Sequence, residues 1–376
     1  MHTHTLKFAL ILALAATLFG CANETTAPLD PADKAAGTLS PDDGSRNKGS
    51  IVVANRGSGT IAVIDSHDAT LTDTISLPQA DGEAFPEPMY VVHVGRYDLI
   101  FVGDRANNRV VAFDAGTLDV AGTVACGAGV FHMWADPRGE QLWVNNDIDN
   151  TTTVIDPGTL TVLATVATPA DLVSMGGKPH DVFVGPQGDH AYLTVLGLSG
   201  PDDYLVQFET QGFTEINRAP VGKDPHLSMG LDTDLYVPCQ NSDQVLVFDP
   251  MTLEFLDDIA IPGAHGAIMS YDGRTFFTTN LPGGGAGAIN TISTRKNALV
   301  GEAVDTPFAV PHNLAVTPDD RLLYVTHSGG SADKVTVYDL EGSYHRPQYR
   351  TEITVGLNPF GLAYVYHEDS RTRATR

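Results

Sequence analysis

The sequence is short of basic residues, with 22 lysines and arginines against 46 aspartates and glutamates and a formal net charge of −24. This acidity disfavours binding to nucleic-acid phosphates or to anionic lipid surfaces. The apolar run at residues 8–19 is too short to span a bilayer. Hydrophobic residues still make up 42% of the 376 residues, which is ample for a full core.

Familiar catalytic signatures are lacking as well. Neither a serine–histidine–aspartate set nor a pair of catalytic carboxylates stands out in the sequence. The glycine-rich run at residues 283–287 lacks the strand-to-helix context of a phosphate-binding loop, so we interpret it as a flexible loop. Whether the protein is an enzyme is therefore left open by its motifs.

The first 21 residues are typical of a processing segment rather than of folded structure. A weakly positive start at Lys7 is followed by the apolar run, and residues 18–21 (Leu-Phe-Gly-Cys) resemble the lipobox of bacterial lipoproteins. The resemblance implies lipidation of Cys21, and the absence of aspartate directly after it favours the outer membrane. The alternative is an ordinary signal peptide that happens to contain a cysteine. Residues 22–49 are polar and contain several prolines, which predicts a flexible tether.

From Ser50 onward the sequence repeats one phrase at intervals of 39 to 48 residues. Each copy begins with a histidine, or with Phe360 in the last copy, and continues through short β-rich runs separated by turn residues. A period of about 40–50 residues with four strands per unit predicts a β-propeller. The repeated histidines are His93, His132, His180, His226, His265 and His312.

The two ends of the repeat region predict how the ring closes. The first three strand-like runs lack an inner partner, and the last phrase, residues 359–365, is a single strand with nothing after it to pair. Together they complete one blade. We therefore expect an all-β, seven-bladed propeller over residues 50–366, closed by the C-terminal strand joining the N-terminal blade, with a polar tail at residues 367–376. Closure removes exposed sheet edges, and we expect a monomer.

Several runs resemble YVTN-type β-propeller repeats, among them Leu-Tyr-Val-Thr at residues 323–326 and Leu-Trp-Val-Asn-Asn at residues 142–146. This resemblance covers about residues 50–366 and implies the fold rather than a function, because such propellers serve many roles. One histidine per blade on the inner strand is also similar to the copper sites of nitrous oxide reductase and thiocyanate dehydrogenase, both seven-bladed propellers. That similarity implies bound copper and redox chemistry.

The repeated histidine begins strand A, the innermost of the strands A to D in each blade. This places it near the channel, on the face that also carries the D-to-A links and the B-to-C loops. The ends of the B strands lie at the same face, and we expect it to be the working face because its loops are the longer ones. The residues at those strand ends are Asn55, Asp104, Asn146, Val195, Cys239, Asn280 and His327.

Six histidines converging on one channel, with His327 as a seventh, predict a metal site. Imidazole nitrogen is a common donor to copper and zinc, and the affinity order favours copper, with zinc as the alternative. Cys239 is a further candidate ligand, or else a small buried hydrophobe. The competing interpretation is structural, because duplication of one ancestral repeat would copy a histidine that only forms hydrogen bonds within its blade.

The sequence therefore predicts a cell-envelope lipoprotein, on the periplasmic side of the outer membrane or at the cell surface, that binds copper through channel histidines. Redox chemistry would require an electron-transfer protein as partner. The competing prediction is a non-catalytic propeller that binds a protein or a glycan, and a third is a haem-type cofactor. We expect Cys126 and Cys239 to lie too far apart for a disulfide, and four histidines outside the repeat to lie on the surface: His67, His190, His345 and His367.

Overall fold

The computed structural model of the protein describes residues 49–367. The predicted processing segment with Cys21, nearly all of the predicted tether and most of the predicted polar tail lie outside these residues and stay predictions. Within them the chain forms seven β-sheets arranged as the blades of a propeller. The described helices are all far too short to cross a bilayer.

The strands follow one another along the chain in blade order. Blade I contains β1 (Gly49–Asn55), β2 (Thr60–Asp65) and β3 (Thr70–Ser76), and blade II contains β4 (Pro88–Val94), β5 (Leu99–Asp104), β6 (Arg109–Asp114) and β7 (Val120–Ala125). Blade III contains β8 (Val130–Ala135), β9 (Leu142–Asn146), β10 (Thr151–Asp156) and β11 (Thr161–Ala167). The short helix α1 (Ala170–Ser174) leads to blade IV, which contains β12 (Lys178–Val184), β13 (His190–Leu196), β14 (Asp203–Glu209) and β15 (Glu215–Val221). Blade V contains β16 (Leu235–Cys239), β17 (Gln244–Phe248) and β18 (Phe255–Ala260), and blade VI contains β19 (Ala264–Met269), β20 (Thr275–Asn280), β21 (Ile289–Ser293) and β22 (Ala298–Leu299). Blade VII contains β23 (Pro311–Val316), β24 (Leu322–His327), β25 (Lys334–Glu341) and β26 (Arg346–Thr354). The last described strand is β27 (Pro359–Tyr366).

The ring closes as the sequence predicts. Strand β27 pairs antiparallel with β1, with Ala363 opposite Val52, and the sheet order of blade I is β27-β1-β2-β3. Both ends of the described chain therefore share one blade. Blade V is the least regular, because its inner position is held by isolated bridges from Pro225 to Cys239 and from Ser228 to Tyr236.

The hydrophobic core of the described residues is divided into seven layers, one between each pair of neighbouring blades. Between blades I and II, for example, Val52 and Ile61 pack against Ile100 and Val111. The middle strands are buried on both faces, whereas the outermost strands are largely exposed. Both faces of each sheet are therefore apolar and pack against the neighbouring blades. Polar side chains can cluster at the inner edge of the blades, along the channel.

A β-bulge near the start of the inner strand sets the direction of the channel side chains. In blade IV, Pro179 pairs with Val195 and Val182 pairs with Leu193, so His180 and Asp181 both lie opposite the single residue Thr194. Blades I, II, III, VI and VII have the same irregularity, whereas blade V keeps a regular register. Bulges re-aim side chains, and the first bulge residue defines one equivalent position in each of these six blades; in blade V the equivalent residue is His226, which follows Pro225. We call this the ring position.

Candidate metal centre

The ring position directly follows the residue that pairs with the end of strand B. Its occupants in blades I to VII are Phe360, Met89, Phe131, His180, His226, His265 and His312. Blades IV to VII therefore contribute four consecutive histidines, and blades I to III contribute apolar side chains. We call these the histidine half and the apolar half of the ring.

The aromatic rings at this level contact one another around the channel. The centroid of His226 lies 4.8 Å from that of His180 and 3.8 Å from that of His265. His312 lies 4.8 Å from His265, and Phe360 follows at 4.2 Å. The circle is completed by Phe131, whose ring lies 5.0 Å from that of His180. The fold thus brings these four histidines of separate blades into contact.

Side chains of strand B hold the backbone of the ring position. The Thr279 hydroxyl accepts a hydrogen bond from the Gly266 amide and donates one to the His312 carbonyl at 3.1 Å. Thr326 and Asn145 reach the carbonyls of the next blade in the same way, at Phe360 and His180 respectively. Three of the seven ring residues, His180, His312 and Phe360, are thus fastened to the preceding blade, and their positions are set by the scaffold before any ligand arrives.

Three buried imidazole nitrogens in the histidine half lack a hydrogen-bond partner: Nδ1 of His180, Nε2 of His226 and Nδ1 of His265. A buried polar atom left unsatisfied costs about 1–3 kcal/mol, so such atoms are rare and call for an explanation. The first faces the carboxylate of Asp181 at 3.3 Å, outside hydrogen-bonding geometry. The other two are free to coordinate a ligand.

His180, His226 and Asp224 form a group whose ligand atoms lie within 4.8 Å of one another. The Asp224 Oδ1 atom is 3.9 Å from Nε2 of His226. Two ligands bound at about 2.0–2.1 Å to one ion lie at most about 4.2 Å apart, so this separation suits a shared ion better than a hydrogen bond. Two imidazoles and a carboxylate are a donor set found around zinc, copper and non-haem iron.

Asp224 owes its place to a recurring backbone feature. The residue two positions before the ring position has a positive φ in five blades, where it is Asn358, Gly129, Asp224, Gly263 or Val310. Aspartate tolerates this left-handed conformation better than most residues. Among the five it is the one carboxylate, and it stands beside the histidine half.

Burial keeps most of the ring imidazoles neutral. It lowers the pKa of His180 to about 4 and that of His312 to about 3, and it holds the pKa of His265 well below the ordinary value. For His226 burial also opposes the charged form, but the carboxylates of Asp181 and Asp224 outweigh it and raise the pKa. Neutral imidazole is the metal-binding form, so three of the four rings are ready to coordinate at neutral pH.

His93 and His132 do not occupy the ring position, contrary to expectation. Pro88 pairs with the last residue of β5, which makes Met89 the ring residue and leaves His93 four residues further on, paired with Ile100. The Nδ1 atom of His93 accepts the amide of Tyr366 at 3.4 Å. His132 is the second bulge residue of its blade, one position beyond Phe131.

His327 is also outside the ring. Its Nδ1 lies 3.1 Å from the Ala309 carbonyl and its Nε2 lies 2.9 Å from the Thr336 hydroxyl, so both nitrogens are occupied inside blade VII. The strand-B ends do pair beside the ring position, but the side chains of Asn55, Asp104 and Asn146 bond within their own blades, as His327 does. The polar character of that register is therefore structural.

The remaining cysteines and histidines are not part of this centre. Cys126 and Cys239 are free thiols, and burial in an apolar cluster raises the pKa of Cys239, which removes it as a ready ligand. His67 and His367 are exposed as expected, whereas His190 and His345 are partly buried. The imidazole of His345 bonds to Asp272 at 2.9 Å in a second group with Asp320, whose two oxygens already accept backbone amides.

Two carboxylates of the centre, Asp224 and Asp181, were missed by sequence reasoning. Asp224 precedes Pro225-His226, and Asp181 directly follows His180. A search for acidic residues within two positions of the repeated histidines would have found both.

Neither a protein-family model nor a curated protein matches this chain. Solved structures do match it. The periplasmic gluconolactonase PpgL of Pseudomonas aeruginosa gives a TM-score of 0.66 at 17% identity, covering 84% of this chain and 99% of its own. Apo AztD from Citrobacter koseri gives 0.57 at 15%, covering 85% and 98%. The dihydro-heme d1 dehydrogenase NirN in complex with DHE gives 0.58 at 13%, covering 86% and 76%. At these identities the likeness shows the propeller fold alone, which is what this chain shares with all three.

Proposed function

We propose that this protein is a metalloprotein in which His180, His226 and Asp224 bind one transition-metal ion in the channel, with His265 as a neighbouring fourth donor. The observation that carries this proposal is the pair of buried, unpartnered nitrogens, Nε2 of His226 and Nδ1 of His265, in a ring whose backbone is braced. Nε2 of His93 and Nδ1 of His190 are also buried without a partner, but the two ring nitrogens belong to imidazoles that contact each other, which favours a shared ligand.

Copper is the metal we propose, with zinc as the alternative. The donors are nitrogen and oxygen, and the divalent affinity order places copper above zinc for such a set. The carboxylates of Asp181 and Asp224 add two negative charges, which offset the charge of a divalent ion in this buried place. The apolar half of the ring borders the histidine half at both ends, where Phe131 contacts His180 and Phe360 contacts His312.

A bound copper ion would supply one-electron redox chemistry. The proposed role is therefore a redox reaction in the cell envelope. The lipobox at residues 18–21 supports anchoring of a monomer through Cys21, to the periplasmic side of the outer membrane or to the cell surface. An electron-transfer protein would dock on the face that carries the long loops. The name of NirN, a dehydrogenase, supports the idea that this scaffold can serve redox chemistry, although no residue is carried over from it.

The test is metal content and affinity of the full chain, purified without a histidine tag and without chelators. We expect one ion per chain after loading with Cu(II) or Zn(II), and near-background binding in His226→Ala and His180→Ala. His67→Ala, with its exposed imidazole, and His327→Gln, with its buried structural imidazole, are the matched controls and should bind like the unaltered chain.

If the loaded, folded chain holds metal only at background, the metal proposal is wrong. The scaffold that binds a protein or glycan partner would then be the better account, and the ring histidines would be structural.

A further inference from the structure

We infer that Asp181 is a positioning residue of the metal centre: its carboxylate bridges the Nδ1 atoms of His180 and His226 and so presents their Nε2 atoms to the ion. This deepens the proposed function and rests on it for its consequence in metal binding. The bridging geometry itself does not depend on a metal.

The distances support a bridge. Oδ1 of Asp181 lies 3.3 Å from Nδ1 of His180, and Oδ2 lies 3.3 Å from Nδ1 of His226. The second contact is a hydrogen bond. In the first, both atoms lack a hydrogen-bond partner, so a small rotation of the His180 imidazole would complete it.

The β-bulge explains how one short side chain reaches two imidazoles of neighbouring blades. Successive residues of a strand normally point to opposite faces, but His180 and Asp181 both lie opposite Thr194. The Asp181 amide donates to the Thr194 hydroxyl at 2.9 Å, which anchors the bulge. Asp181 is therefore held beside the ring rather than inside a blade.

Among the six blades with the bulge, the second bulge residue is charged only in blade IV, where it is Asp181. In blades I, II, III, VI and VII the second bulge residue is Gly361, Tyr90, His132, Gly266 and Asn313. A buried carboxylate is costly unless positive charge or hydrogen-bond donors compensate it. Here the compensation comes from imidazoles, since the side chain is 7% exposed and its two ion-pair contacts are His180 and His226.

Imidazole chemistry then fixes which nitrogen can bind an ion. A neutral ring that donates from Nδ1 to a carboxylate carries its lone pair on Nε2. His132 provides the contrast, because its Nδ1 accepts the Val182 amide at 3.2 Å and its proton must sit on Nε2. Neighbouring histidines thus have opposite tautomers, and Asp181 selects the metal-binding one for His180 and His226.

The experiment is nitrogen NMR of the metal-free full chain, labelled with ¹⁵N-histidine, at about pH 8.5, where imidazoles carry one proton. We expect both His180 and His226 to be protonated on Nδ1. In Asp181→Asn the amide offers one acceptor and one donor to two Nδ1 atoms, so at least one imidazole must move its proton to Nε2. Asp104→Asn is the matched control, because that buried carboxylate bonds to Arg109 and Asn107 instead.

Metal affinity gives the second readout, measured by competition with a chelator for Cu(II) and Zn(II). Loss of an outer carboxylate partner typically lowers metal affinity 10–100-fold, and we expect that fall for Asp181→Asn and none for Asp104→Asn. Nε2-protonated rings in the unaltered chain, or unchanged tautomers in Asp181→Asn, would overturn the inference even if metal binds. If no metal binds but the tautomers switch as expected, the positioning role stands and the proposed function fails.

Discussion

The two halves of the ring occupy the same backbone position and yet have different chemistry. In blade VII a threonine of the preceding blade braces His312, and in blade I another threonine braces Phe360 in the same way. Phenylalanine and methionine fill the position in blades I to III without disturbing the fold. The propeller therefore does not require histidine there, and the four histidines of blades IV to VII must be explained by something other than blade structure.

His327 shows what a structural histidine looks like in this molecule. Both of its ring nitrogens are bonded inside one blade, whereas Nε2 of His226 and Nδ1 of His265 have no partner. A histidine copied from an ancestral repeat only to bond within its blade would resemble His327. Nδ1 of His312 does bond to Ser328 of its own blade, but His226 and His265 each keep an unpartnered nitrogen, which is why a ligand is the better explanation for those two.

The largest effect on stability is expected in the apolar half. Phe360→Ala removes a buried ring that contacts Tyr90, Phe131 and His312, and it should lower the free energy of unfolding by about 3–5 kcal/mol while metal binding persists. His265→Ala should weaken metal binding, and its loss of unfolding free energy should be much smaller than that of Phe360→Ala. Urea denaturation of the metal-free proteins, with metal titration in parallel, measures both. Equal effects of the two substitutions on both quantities would remove the distinction between the halves.

The next effect is a pH dependence that comes from buried imidazoles. Burial lowers the pKa of His93 to about 4 from an ordinary value near 6.5, so the unfolded chain binds a proton at a higher pH than the folded chain. Stability is then fully present above about pH 6.5 and is lost as the pH falls towards 4, by roughly 3 kcal/mol for this group. His93→Gln should reduce the slope of the stability profile of the metal-free protein in that window, and the rest of the slope should remain because burial also lowers the pKa of His180, His265 and His312. A profile with the same slope in the variant would show that His93 is not the source.

A smaller effect tests the hydrogen bonds that strand-B threonines donate to ring-position carbonyls in both halves. Thr279→Val and Thr326→Val each remove a hydroxyl that links two blades, one beneath His312 and one beneath Phe360. Thr279→Val leaves the Gly266 amide and the His312 carbonyl unsatisfied, whereas Thr326→Val leaves the Asn313 amide unsatisfied and the Phe360 carbonyl keeps the bond from the Asn313 side chain. Each should cost about 1–3 kcal/mol. Similar losses in thermal or urea unfolding are expected, because the brace is the same in both halves. A loss confined to one variant would show that the halves differ in backbone support as well.

The sequence predicted the fold well because period and closure are properties of the whole chain. Four β-rich runs per repeat required a propeller, and the unpaired first and last runs required blade I to be shared. The ring was predicted less well. When the repeats are aligned on their histidines, the ring position is placed four residues too late in blade II and one residue too late in blade III. The reason is that a β-bulge is not visible in the residue pattern. The proline before the ring residue, as at Pro88 and Pro359, was the better marker.

The repeat pattern by itself does not mark the carboxylates, because the positions of Asp181 and Asp224 hold different residues from blade to blade; they stand out only when the neighbours of each repeated histidine are inspected. Their roles depend on contacts between blades IV and V, which no single repeat contains.

The most direct measurement is pulsed EPR of the full chain loaded with one equivalent of Cu(II), compared with His226→Ala and with His327→Gln. We expect couplings to at least two imidazole nitrogens in the unaltered chain and in His327→Gln, and the loss of at least one in His226→Ala. A copper signal without imidazole coupling, or a spectrum unchanged by His226→Ala, would contradict it.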